Sequence, residues 1–241
     1  MTQRVVLLHG LWMPGLAMHW LAGRLQHAGF ETEVFSYASV GEGPDQAVPR
    51  LIDTIGDREA HVVAHSLGGL IALQALCDSP DLPVRRVVCL GAPLTGSGAA
   101  AGMLRWPVST MLLGRSGDLL RSGLPCWQGR AEVGVIAGRV PHGLGAFFGH
   151  FAGDHDGTVA VEETRLEGVT DHVVVDASHS GLLFSAQAAD RTVAFLRSGR
   201  FGLENRAPSQ HSNRYRPWVV ALPSNRARTR STHSAARSSP R

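Results

Sequence analysis

Short apolar runs alternate with helix-like stretches along most of this chain, and the alternation restricts the fold more than any other feature. Six runs are rich in β-branched or other apolar residues, as buried strands are, and they cover residues 5–8, 33–35, 61–64, 86–90, 133–137 and 172–175. Apolar residues recur every three or four positions, as on helices, in the stretches 16–28, 46–55, 67–77 and 186–196. This repetition predicts an α/β fold with a mainly parallel six-stranded sheet and helices on both faces.

Charge divides the chain into two parts. Of its 23 arginines, 13 lie in residues 1–196 with 19 acidic residues, whereas 10 lie in residues 197–241 with the single Glu204. We expect one domain over residues 1–197 and a disordered Arg- and Ser-rich tail over 198–241. Such a tail favours weak, nonspecific contacts with anions, but no nucleic-acid-binding motif accompanies it, so no specific nucleic-acid partner is expected.

Other composition features exclude several classes of protein. No apolar run reaches the length of a membrane-spanning helix, and no secretory signal is evident, so a cytoplasmic protein is expected. Cys77, Cys89 and Cys126 lack paired spacing, which argues against a disulfide framework or a zinc cluster. Residues 94–130 interrupt the strand–helix rhythm with a Gly- and Ala-rich segment, which we interpret as an insertion.

A candidate nucleophile occurs in the sequence Ala64-His65-Ser66-Leu67-Gly68-Gly69, directly between a predicted strand and a predicted helix. A sharp strand-to-helix turn that presents a serine above a sheet needs small residues two positions before and after it, here Ala64 and Gly68. The same turn directs the N–H of Leu67 from the first turn of a helix, where negative charge is favoured. An ordinary Gly-rich turn with a capping serine is the plainer alternative.

The chain resembles the α/β-hydrolase superfamily, and in particular its small bacterial lipases and esterases, over about residues 4–197. The resemblance rests on five segments: Leu7 to Leu11, Ala64 to Gly69, Leu90 to Ser97, Asp156 to Val159, and His179. Ala64 stands where most members have glycine, and the antiparallel strands that open larger members are absent. The order of Ser66, an aspartate and His179 is that of the superfamily.

The resemblance implies a Ser-His-Asp triad without a cofactor. His179 follows the last strand and is placed to reach Ser66, whereas His9 is expected to be a structural hydrogen-bonding residue and His65 to point away from the nucleophile. Asp156 is the first choice for the acid and Asp154 the second. A metal site built from His150, Asp154, His155 and Asp156 is a rival interpretation, but no recognisable ligand spacing supports it.

Less specific expectations concern substrate binding. The resemblance assigns the oxyanion-binding N–H groups to Leu11 and Leu67, with Trp12 shaping the mouth of the site. It also places the 94–130 insertion where the superfamily builds helical lids. The insertion residues Met103, Trp106 and Met111 are candidates for a lipophilic pocket, although the apolar residues of this segment are equally consistent with helices that simply cover the core.

These features predict a serine hydrolase that cleaves carboxylic esters of small molecules or lipids through an acyl-enzyme. A thioesterase or an acyltransferase would use the same triad. A non-catalytic binding protein with this fold is the alternative of another class. A dehalogenase is disfavoured because it would need a carboxylate at position 66.

Overall fold

The six predicted strands form one sheet. A computed structural model describes residues 3–103, 113–142 and 153–202. Its strands are β1 Arg4–Leu8, β2 Glu31–Phe35, β3 Ala60–His65, β4 Val84–Leu90, β5 Glu132–Gly138 and β6 Asp171–Val175. Every neighbouring pair is parallel, in the order β2-β1-β3-β4-β5-β6. The predicted fold class is therefore confirmed, and the sheet is wholly parallel rather than mainly so.

Helices cover both faces of the sheet, as predicted. The α-helices are α1 His19–His27, α2 Pro44–Ile55, α3 Leu67–Asp78, α4 Gly98–Met103, α5 Gly117–Ser122 and α6 Ala186–Ser198. Because successive strand residues face opposite sides, Val62 and Ala64 join a core beneath α2 and α3, whereas Val63 joins a second core beneath α1 and α6. Within the described ranges, four short 3-10 helices lie at Gly15–Met18, Gly114–Ser116, Glu162–Thr164 and Ser180–Phe184.

The described parts of the predicted insertion pack on the domain. Leu113 and Trp127 are buried in the core that includes α2 and α3, and the Trp127 indole N–H donates to the Ala131 carbonyl. The backbone of Ser97 donates to the carbonyl of Leu120, which joins the start of the insertion to α5. These residues cover the core, whereas residues 104–112 lie outside the described residues.

The structure does not test the predicted domain boundary or the predicted disordered tail. Contacts group residues 1–203 into one unit and 204–241 into a second, and the second unit lies outside the described residues. Among the residues that are described, no helix has the length and hydropathy needed to cross a membrane. The cytoplasmic location stays a prediction.

Candidate active site

Ser66 occupies a strained turn between β3 and α3. Its backbone has φ 54° and ψ −124°, and Trp12 is the other non-glycine residue with positive φ in the described part of the chain. Such a conformation costs on the order of 1–3 kcal/mol and persists because the surroundings impose it. The Ser66 N–H donates to the Leu90 carbonyl of β4, and the Gly69 N–H donates to the Ser66 carbonyl. The turn therefore holds the hydroxyl at the carboxyl edge of the sheet.

Three side chains from separate loops meet at this edge. The Nε2 atom of His179 lies 3.0 Å from the Ser66 Oγ, and its Nδ1 lies 2.8 Å from an Asp156 carboxylate oxygen. Ser66, His179 and Asp156 are buried, with exposed fractions of 9%, 9% and 1%. Since Asp156 accepts from Nδ1–H, Nε2 is left to accept the Ser66 hydroxyl proton. The arrangement can raise the nucleophilicity of a serine hydroxyl.

Asp156 is the aspartate that contacts His179, and Asp154 is exposed. The backbone N–H groups of Thr158 and Val159 donate to the other Asp156 carboxylate oxygen at 2.9 and 2.7 Å. The His179 N–H also donates to the Asp156 carbonyl. Both carboxylate oxygens are therefore engaged, which fixes the direction in which the carboxylate meets the imidazole.

The loop after β1 packs directly against the turn at Ser66. A Cβ added at Gly10 would lie 2.8 Å from the Ser66 Cβ, and one at Gly68 would lie 2.7 Å from the His9 carbonyl oxygen. Glycine is required at both positions because a side chain would separate the two loops. Among the described residues, neither the Leu11 N–H nor the Leu67 N–H donates to a protein acceptor. Both stay predicted donors to an oxyanion.

His65 is more closely connected to the site than its position beside the nucleophile suggested. Its Nε2–H donates to the His179 carbonyl at 3.0 Å. The two imidazole rings have centroids 4.7 Å apart. Complete burial, with repulsion from His179, lowers the pKa of His65 to about 3. A neutral His65 thus supports the main chain of His179.

Two other residues near the site were given no role from the sequence, although one of them, Gly91, lies in a segment that carries the resemblance. Gly91, at φ 56°, leaves room for the pair of His179 and Asp156, since an added Cβ would lie 3.1–3.2 Å from their polar atoms. Glu163 accepts from the N–H groups of Gly98 and Ala160, and so links the start of α4 to the loop of Asp156. Burial raises the pKa of Glu163. Both roles depend on contacts between distant segments.

The predicted substrate-binding residues are only partly described. Trp12 is half-exposed, and its N–H donates to the Ser39 hydroxyl at 3.1 Å. The backbone of Met103 ends α4, whereas its side chain and the whole of Trp106 and Met111 lie outside the described residues. The lipophilic pocket stays a prediction.

The rival metal site receives no support from the described residues. Within residues 3–103, 113–142 and 153–202, no group of three or more His, Cys, Asp or Glu side chains is arranged to hold a metal ion. Asp156 instead bonds His179, and the His155 ring accepts from the Gly157 N–H. His150 lies outside the described residues.

Comparison with known proteins agrees with this architecture. Residues 44–118 match the family model described as "alpha/beta hydrolase fold". This match covers less than half of the chain and agrees with the α/β fold of the six-stranded parallel sheet. No curated protein matches the sequence.

Solved structures extend the similarity of fold over most of the chain. The mature lipase BlEst2 of Bacillus licheniformis is 19% identical, with a TM-score of 0.65 over 81% of this chain and 91% of that one. A pyrethroid hydrolase from Sphingobium faniae is 13% identical, with a TM-score of 0.56 over 82% and 98%. A methylesterase from Arabidopsis is 16% identical, with a TM-score of 0.53 over 82% and 98%. At these identities the similarity is one of fold.

Proposed function

We propose that the protein is a serine hydrolase of carboxylic esters, with Ser66 as nucleophile, His179 as general base and acid, and Asp156 as the orienting acid. The observation that carries the proposal is the continuous chain of hydrogen bonds from Ser66 through His179 to Asp156. Lipase and methylesterase activities are named for two proteins of similar fold, which favours ester substrates over other acyl compounds. A thioesterase or acyltransferase has no specific observation in its favour.

The chemistry follows from the three side chains. Ser66 Oγ attacks the ester carbonyl carbon while His179 Nε2 takes the hydroxyl proton, and Asp156 stabilises the resulting imidazolium. Collapse of the tetrahedral intermediate breaks the bond to the leaving oxygen, which takes that proton and departs as an alcohol. Water then attacks the acyl carbon while His179 takes one of its protons. The bond to Ser66 Oγ breaks, the carboxylic acid leaves, and His179 returns the proton to Ser66.

The oxyanion of the tetrahedral intermediate needs its own hydrogen-bond donors. In this proposal the N–H groups of Leu11 and Leu67 supply them, because their loops meet at Ser66. One such donor contributes about 100- to 1,000-fold to turnover, or roughly 2.7–4 kcal/mol. Because the fold already holds these main-chain groups in place, they need little reorientation during the reaction.

A fluorophosphonate probe tests the nucleophile. We expect covalent labelling of the wild-type protein, mapped to the peptide that contains Ser66, with loss of fluoride from the probe. Ser66→Ala should abolish labelling and lower ester hydrolysis by about four to six orders of magnitude. Ser178→Ala is a matched control, since Ser178 lies one residue from His179 but donates no hydrogen bond in the triad. Folded wild-type protein that is unlabelled at Ser66 would reject the proposal and favour the non-catalytic alternative.

A series of p-nitrophenyl esters tests the substrate class. If a lipophilic pocket accompanies the triad, kcat/KM should rise from acetate to octanoate, because each buried methylene contributes about 0.8 kcal/mol. Activity that is highest with acetate and lost by octanoate would remove the lipase-like part of the proposal and leave a small-ester esterase. Matched thioesters, assayed in parallel, separate esterase from thioesterase activity.

A further inference from the structure

His65 is a buried histidine whose side chain makes a single hydrogen bond within the described part of the chain. It is the last residue of β3, immediately before Ser66, and its exposed fraction is 0%. Its Nε2 lies 3.0 Å from the carbonyl oxygen of His179, whereas its Nδ1 has no partner among the described residues. A buried nitrogen without a partner lowers stability, so a packing role alone does not account for a histidine here.

The His179 carbonyl defines the tautomer of His65. A carbonyl oxygen can only accept a hydrogen bond, so Nε2 carries the proton. Burial, with repulsion from His179, lowers the pKa of His65 to about 3, so the ring is neutral at neutral pH and its Nδ1 is unprotonated. His65 therefore offers the site one N–H donor and no charge. A charged ring, with its centroid 4.7 Å from that of His179, would oppose the imidazolium that forms when His179 takes the Ser66 proton.

The main chain of His179 is held at both of its polar groups. The His179 N–H donates to the Asp156 carbonyl at 2.9 Å, and the His179 carbonyl accepts from His65. Asp156 lies in the loop between β5 and β6, whereas His65 belongs to β3 and is joined to Ser66 by one peptide bond. The bond from His65 thus connects the segment of the base directly to the segment of the nucleophile.

This connection acts on the distance that proton transfer requires. The Ser66 Oγ and the His179 Nε2 are 3.0 Å apart, which is within hydrogen-bond distance. Because the imidazole is attached to the main chain of His179, a shift of that main chain moves Nε2 relative to Oγ. A misplacement of about 1 Å can lower turnover by about 100-fold. His65 therefore contributes to the geometry of the base although it is not part of the triad.

His61 provides a comparison on the same strand. It is also buried, with an exposed fraction of 2%, and its Nδ1 also has no partner among the described residues. Its ring lies edge-on to the Phe30 ring, with centroids 6.4 Å apart. Because Ser66 follows the carboxyl end of β3, His61 lies near the end of the strand that is farther from the triad. The two histidines share burial and an unpartnered nitrogen but differ in their contact with the base.

We propose that His65 is a positioning residue for the general base, holding the main chain of His179 so that its Nε2 stays within reach of the Ser66 hydroxyl. The inference rests on the proposed hydrolase function and extends it to a residue outside the triad. His65 touches no reacting atom and takes no proton in the reaction. Its loss should therefore slow proton transfer more than it weakens binding of the ester.

The test compares substitutions of His65 that keep or remove the donor at Nε2. His65→Phe keeps a planar ring but has no N–H. His65→Gln places an amide nitrogen three bonds from Cβ, as Nε2 is, whereas His65→Asn places it two bonds from Cβ, as Nδ1 is. His61→Phe is the matched control, since it makes the same change at the other buried histidine of β3.

We expect His65→Phe to lower kcat for p-nitrophenyl butyrate by about 100-fold, with KM changed by less than about threefold. Labelling of Ser66 by the fluorophosphonate probe should slow by a similar factor, because this reaction also needs His179 to take the hydroxyl proton. His65→Gln should recover at least about tenfold in kcat relative to His65→Phe, whereas His65→Asn should not, and His61→Phe should stay within about twofold of wild type. Circular dichroism confirms that each variant is folded.

Either of two results would overturn the proposal: a His65→Phe kcat within about threefold of wild type, or a His65→Gln variant no more active than His65→Asn. The second comparison decides the question if His65→Phe does not fold. An equal loss of kcat in His61→Phe would also overturn it, because burial rather than the bond to His179 would then control turnover. Wild-type protein that neither labels at Ser66 nor hydrolyses the ester would instead defeat the proposed function. A labelled, active wild type with an unaffected His65→Phe would defeat this inference alone.

Discussion

The two edges of the parallel sheet use polar residues in opposite ways. At the amino edge, buried arginines are paired: Arg4 bonds Glu33 and the carbonyls of Thr54 and Ile55, and Arg86 bonds Glu132 and the Leu196 carbonyl. At the carboxyl edge, the buried residues around Ser66 include the neutral imidazole of His65 and the carboxylate that orients His179.

We interpret the amino edge as contributing mainly to stability and the carboxyl edge as contributing mainly to chemistry. Arginine guanidinium groups at the amino edge satisfy carbonyls and carboxylates and join helices to strands. At the carboxyl edge, strained backbone and partly unsatisfied amides are retained because their groups converge on one hydroxyl. Substitutions at the amino edge should therefore change the free energy of unfolding, whereas those at the carboxyl edge should change turnover first.

After Ser66 itself, the largest expected effect is at Asp156. Asp156→Asn keeps the side-chain shape but cannot stabilise the imidazolium, so kcat for a p-nitrophenyl ester should fall by about 10⁴-fold. The matched variant Asp154→Asn should stay within about twofold, since Asp154 is exposed and lies outside the hydrogen-bonded chain. Comparable losses in both variants would contradict the assignment of the acid.

Gly91→Ala should have the next largest effect on turnover. Its methyl group would approach both Asp156 and His179 and press on Leu182, so kcat should fall by about 10- to 100-fold through misplacement of the triad. Gly29→Ala is the control, because Gly29 also has positive φ but an added Cβ meets nothing within 4 Å. Gly29→Ala should lower stability without lowering kcat. Equal losses of kcat in the two variants would contradict a specific effect of Gly91 on the triad.

At the amino edge, Arg86→Met should leave turnover within about twofold but destabilise the fold. Its side chain has an exposed fraction of 8%, and loss of its bonds to Glu132 and the Leu196 carbonyl should lower the free energy of unfolding in urea by roughly 2–3 kcal/mol. Arg58→Met, which removes an exposed pair with Glu31 at 3.7 Å, should cost less than about 0.5 kcal/mol. A large loss of kcat in Arg86→Met would show that the amino edge also controls turnover, and would contradict the distinction between the two edges.

The smallest expected effect concerns pH and His61. Burial, with repulsion from Arg86 and Arg85, lowers the pKa of His61 to about 4. Because the unfolded chain binds a proton at this residue near pH 6.5, stability should fall as pH drops from about 6.5 towards 4.

Urea unfolding at pH 7 and pH 5 measures this contribution. From pH 7 to pH 5, the free energy of unfolding should fall by about 2 kcal/mol less in His61→Phe than in the wild type, because the variant lacks the proton uptake of this one histidine. An unchanged difference between pH 7 and pH 5 would show that His61 titrates alike in the folded and unfolded chains. Ester turnover at pH 7 should be unaffected by the substitution.

How much the sequence revealed depends on the range of the interactions involved. Apolar periodicity located all six strands and four of the helices. Most observed ends coincide with the predicted ones or extend up to two residues beyond them, whereas α1 begins three residues after its predicted start and ends one residue before its predicted end. The turn at Ser66 was recognisable because its small residues lie within a few positions of the serine. Both features are local, so the chain order of residue types is enough to specify them.

Contacts between distant segments required the tertiary structure. Asp154 and Asp156 are alike in type and two positions apart, and the backbone of the 155–160 turn decides which one meets His179. The bond from His65 to the His179 carbonyl joins residues 114 positions apart, and the His9–Tyr37 stack joins two separate loops. By itself the sequence determined the sheet and the serine turn, whereas packing alone decided which buried groups face each other, because side-chain direction depends on the whole surrounding fold.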